Sequence, residues 1–87
     1  MKIKKNVKLV IDRESIRDDL GVIRFEGVYR NKPFELVFHP EMGTEIKYAM
    51  TLLSIVGSLI IDSLEFDKHC RSWVGVTRAG RCYVRFA

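Results

Sequence analysis

An α+β domain, an antiparallel sheet covered on one face by a single long helix, is the fold this sequence predicts. Three observations point to it. Several short segments alternate apolar and polar residues with the period of a half-buried strand. One stretch, "YAMTLLSIVGSLII" from Tyr48 to Ile61, runs fourteen residues without a charge in a chain that is 30% charged. Turn residues then divide the 87 positions into the order β-β-β-α-β-β, which fits one small domain spanning residues 1–87.

The first segment, "KIKKNVKLVI", places Ile3, Val7, Leu9 and Ile11 on one face and lysines on the other. "DRESIRDDLG" breaks this alternation, and Asp12 or Ser15 suits the cap of a short helical turn that Gly21 ends in a left-handed conformation. "VIRFEGVYR" and "PFELVFH" form a hairpin. Its expected register sets Tyr29 against Phe34, Gly27 against Leu36 and Phe25 against Phe38, across a four-residue "RNKP" loop. Thr44 is the expected helix N-cap, and the helix runs to about Glu65.

Around that helix, Ile46, Ala49, Met50, Leu53, Val56, Gly57, Ile60 and Leu64 gather on one stripe. A second apolar row, Tyr48, Leu52, Ile55, Leu59 and Phe66, lies on the other side of a narrow polar stripe. A membrane span is excluded, because spanning takes about 20 apolar residues. The second row is therefore either wrapped by the rest of the fold or a contact surface for a protein partner. In a two-fold homodimer it would meet its own copy.

Two strands, "WVGVT" and "RCYVRFA", follow a basic loop and meet around "RAG". The preferred register has a three-residue loop that pairs Val76 with Cys82 and Val74 with Val84, and leaves Trp73, Tyr83 and Arg85 outside with Arg81 near the turn. A two-residue "AG" loop sets Trp73 against Phe86 in the core and leaves Val74, Val76 and Tyr83 on the outer face. Aromatic side chains among arginines suit single-stranded nucleic acid, or an acidic partner. The candidate residues are Arg71, Trp73, Arg78, Arg81, Tyr83 and Arg85.

Charge is uneven along the chain. The charged side chains of residues 1–8 and 68–87 are all basic, while residues 9–67 hold all eleven acids, within a net charge of +4. Catalytic patterns are sparse by comparison. His69 with Arg71 or Arg81 is the one nuclease-like grouping, and its spacing carries no specificity. His39, His69, Cys70 and Cys82 lack the spacing of a zinc site, so neither metal nor cofactor is expected. "GVTRAG" lacks the lysine and hydroxyl of a phosphate-binding loop, and no family resemblance attaches to particular residues. With no visible signal peptide, a cytoplasmic setting and reduced cysteines are expected. The leading expectation is a non-enzymatic regulator, inhibitor or adaptor that binds a protein partner and itself. The alternative is a nucleic-acid-binding protein, and a small nuclease ranks below both.

Overall fold

The computed structural model describes residues 3–87, so Lys2 of the basic N-terminal run lies outside the described residues. Among these residues seven strands form: β1 (Ile3–Ile11), β2 (Arg17–Asp19), β3 (Val22–Tyr29), β4 (Lys32–Pro40), β5 (Ser58–Asp67), β6 (Ser72–Thr77) and β7 (Gly80–Phe86). One helix, α1 (Ile46–Val56), lies between β4 and β5. The sheet runs β1-β5-β6-β7-β4-β3-β2, and β1 also pairs with β3. That extra pairing closes six antiparallel strands into a barrel and leaves β2 attached to the outside of β3.

A sheet on one long helix is thus replaced by a closed barrel with a short helix. The helix stops at Gly57, which takes φ 72° and donates its N–H to the Leu53 carbonyl at 2.8 Å. Glycine enters this left-handed region without the Cβ clash that other residues incur, and it is the usual residue beyond a helix end. The following "SLIIDSLEF" continues as β5, with Leu59, Ile61 and Leu64 buried. Asp62 and Ser63 both lie off the core between Ile61 and Leu64, so the strand shifts its alternation there. This shift let a strand imitate helical spacing, since Ile61 and Leu64 are three apart as well. At the other end of α1 the capping position belongs to Glu45, not Thr44.

The turns also depart from expectation. Tyr29 pairs with Lys32 around Arg30 and Asn31, so Gly27 faces Phe34, Phe25 faces Leu36 and Ile23 faces Phe38. Both turn residues have positive φ, 49° and 66°, as the tightest hairpin turns require. Pro33 sits one residue beyond the closing pair, and its missing N–H is no obstacle. The expected pairing was two residues out of register, which leaves every side chain on its expected face. In "DRESIRDDLG" only Arg13–Ser15 makes a helical turn, a 3-10 one, with the Asp12 side chain accepting from the Glu14 N–H at 3.2 Å. Gly21 takes φ 89° as expected, but in the turn between β2 and β3.

Between β6 and β7 the register is Trp73 with Val84, Gly75 with Cys82 and Thr77 with Gly80 around Arg78 and Ala79. The three-residue "RAG" loop is overturned, and the "AG" loop gave the right faces through pairs two residues removed. Thr77 holds the turn with its hydroxyl, which donates to the Gly80 carbonyl at 2.9 Å and accepts from the Ala79 N–H at 3.1 Å.

Inside the barrel, Leu9, Ile23, Phe25, Phe34, Leu36, Ile61, Leu64 and Val84 are fully buried, and each contributes roughly 1.5–3 kcal/mol on leaving water. On β1, Val7, Leu9 and Ile11 face this core as expected, but Ile3 is 50% exposed. Asn6, at φ 53°, breaks the alternation of β1 and brings Lys4 to the inner side in place of Ile3. The closure between β1 and β3 needs Gly27, because a Cβ there would collide with the Val10 carbonyl oxygen.

Candidate functional site

The two ends of the barrel carry different surfaces. β4 leaves and β5 begins at one end, and α1 lies there with Leu53 in the core and Ile46, Ala49 and Met50 packed against it. Its opposite side presents Tyr48 at 61%, Leu52 at 44% and Ile55 at 68% exposure. These positions, i, i+4 and i+7, fall on one helical face. The expected five-residue row is thereby divided. Leu59 is a core residue of β5, and Phe66 stands at the far end of the same strand, 5.5 Å ring to ring from Trp73.

A second apolar surface adjoins the helix and was missed in the sequence. Val10 and Val28 are cross-strand partners at the barrel closure and both point outward. Ile60, beside Lys8 in the register of β1 and β5, is the diagonal neighbour of Val10 on that outer wall. Val56 is exposed where the helix leads into β5. The available signal was the consecutive triplets Leu9-Val10-Ile11 and Leu59-Ile60-Ile61, since three adjacent apolar residues in a strand force one or two of them outward.

The residues expected to meet nucleic acid do not form one patch. Arg81, Tyr83 and Arg85 share the outer face of β7, opposite His39, Val37 and Glu35 of β4. The His39 and Tyr83 rings meet edge to face at 5.5 Å. Trp73 turns inward and is half-buried, which removes the stacking platform from this face. Arg71 stands in the turn before β6, at φ 53°, and Arg78 in the turn before β7, so they occupy opposite ends of the barrel. Carboxylates intersperse the rest of the outer wall. Arg17 pairs with Glu26 at 2.7 Å, and that hydrogen bond raises the Arg17 pKa above its ordinary value. Arg24 pairs with Asp19. Arg17, Arg24 and Arg85 line a groove of mixed sign with Glu26, Glu35 and Tyr83, so its cations are interspersed with carboxylates.

At the end away from the helix, aromatic rings close the barrel around Phe86. Tyr29, Phe34 and Trp73 lie 5.7, 6.4 and 6.3 Å from it, ring centre to ring centre. The Lys4 ammonium is 5.6 Å from the centres of both Tyr29 and Trp73, and the Arg30 guanidinium is 5.3 Å from Tyr29. Cations near a ring centre at such distances are attracted by its quadrupole.

The remaining chemistry-bearing residues are dispersed. His39 is on β4, His69 and Cys70 are in the β5–β6 turn, and Cys82 is buried in the barrel, where loss of solvent pushes its thiol pKa up to about 12. Among the described residues, no three His, Cys, Asp or Glu side chains are placed to share a metal ion, and no helix is long and apolar enough to cross a membrane. In comparisons with known proteins, no family model, no curated protein and no solved structure matches this chain.

Proposed function

We propose that this protein is a small non-enzymatic regulator or adaptor that forms a homodimer through the outer side of α1. The observation that carries the reading is the exposed stripe Tyr48, Leu52 and Ile55, on a helix whose other side is already committed to the core. Eleven residues of helix extend only about 16 Å, too little for the roughly 1,000 Å² that a stable interface buries. Val56, Ile60 and Val10 add exposed apolar area on the adjoining wall. A two-fold axis through such a surface sets it against its own copy, so that each stripe covers the other without a second complementary patch.

Light scattering coupled to size exclusion tests the reading over a concentration series. A dimer is expected for the native chain, and Ile55→Lys should return it to monomer while circular dichroism and melting stay the same. A native chain that remains monomeric at the highest concentrations would remove the homodimer.

A further inference from the structure

β1 pairs with β5 from Ile3 to Val10, but it meets β3 at only two positions, Val10 with Val28 and Ile11 with Gly27. β3 ends at Tyr29 and turns away through Arg30, so among the described residues no strand flanks the first half of β1 on that side. A cleft of about 350 Å³ opens in the barrel wall there. Lys4, Lys5, Lys8 and Arg30 line it together with Tyr29, and no carboxylate does. The ion pairs among the described residues are Arg17 with Glu26 and Arg24 with Asp19, so these four cations have no carboxylate at pairing distance. Tyr29 holds two of them near its own ring, which concentrates positive charge in a recess where it is not neutralised.

We propose that this cleft binds the phosphodiester backbone of single-stranded nucleic acid. Lysines along an open strand edge also discourage pairing with stray strands. That role requires neither Arg30, which reaches in from the neighbouring turn, nor the rings that fix Lys4 and Arg30 in place. From Lys4 to Lys8 the strand advances about 13 Å, enough for the cations to meet successive phosphates rather than one. An acidic peptide adding itself as a strand would need a regular edge, and Asn6 at φ 53° interrupts that edge. Lys4 is half-buried while Lys5, Lys8 and Arg30 are exposed, so meeting all four means entering the cleft, which a flexible single strand does more readily than a rigid duplex.

Fluorescence anisotropy with a labelled oligothymidylate or oligouridylate of about a dozen nucleotides tests the proposal across a salt series. Three to four phosphate contacts predict that log K falls with log salt at a slope of about −2 to −3. Lys8→Gln with Arg30→Gln should weaken binding at low salt and flatten that slope by about 1.4. Both residues lie at the surface, so the double variant should fold. Lys47→Gln, on the helix at the other end, should bind as the native chain does. Ile55→Lys should also retain the full slope, which separates this proposal from the homodimer. No binding at low salt, an unchanged slope in the double variant, loss confined to Arg81→Gln or Arg85→Gln, or equal competition by polyglutamate would each overturn it.

Discussion

The helical end and the aromatic end of this barrel close the same core by different means. At the helical end, one amphipathic segment inserts Leu53 and turns Tyr48, Leu52 and Ile55 to solvent. At the aromatic end no such segment exists among the described residues, and Phe86 gathers Tyr29, Phe34 and Trp73 while cations rest near the outer rings. Each closure leaves its own residue outside, apolar at one end and cationic at the other. An apolar surface favours a stable contact with another apolar surface, and a solvent-exposed cationic one favours a contact that salt weakens. The two binding proposals rest on that difference.

The largest expected way to disturb the comparison is Leu53→Ala. It empties the helical end and should cost about 2–4 kcal/mol in urea unfolding. The half-buried Phe86→Ala, at the other end, should cost less than full burial of a phenylalanine would imply, and equal losses would mean that the two closures are energetically alike. Gly57→Ala comes next. A side chain at φ 72°, with the Arg13 guanidinium 2.6 Å from its Cβ position, should lower stability by about 1–2 kcal/mol and raise amide exchange in α1 before the aromatic end responds.

A pH-dependent effect concerns Cys82, which reports on the wall between the two ends. Its folded pKa is raised to about 12 from 9.0, so the folded state prefers the protonated thiol. This preference stabilises the fold fully below pH 9 and is lost as pH rises from about 9 towards 12, a decline that denaturant titrations in that window should reveal. Mass spectrometry after brief alkylation near neutral pH should find Cys70 modified and Cys82 protected. Gly57→Ala should leave Cys82 protected if the helix frays alone, and expose it if the barrel opens with the helix.

Much of the chain's organisation was legible before its fold. The alternation of β1 from Val7 to Ile11, the faces of the β3–β4 hairpin and the inward stripe Ile46, Ala49, Met50 and Leu53 all follow from residue pattern. Of the proposed contact surface, Tyr48, Leu52 and Ile55 were legible for the same reason, while Leu59 and Phe66 were assigned to a helix that ends before them. The turn pairings were not legible, because positive φ at Arg30 and Asn31 allows a tighter turn than the proline beside them suggests.

What the sequence by itself determined is which residues alternate, where glycine permits a reversal and which segments are too apolar for solvent. Those properties depend on neighbours one to four positions away. Only the tertiary structure decided that "SLIIDSLEF" would be a strand, that β1 would find β3 and close the barrel, and that Trp73 would face inward. Each of these depends on partners far along the chain, such as β1 across from β5 and Gly27 beneath the Val10 carbonyl. The seam cleft belongs to the same class: Lys4, Lys8 and Arg30 are brought together only because the closure between β1 and β3 stops after two pairs.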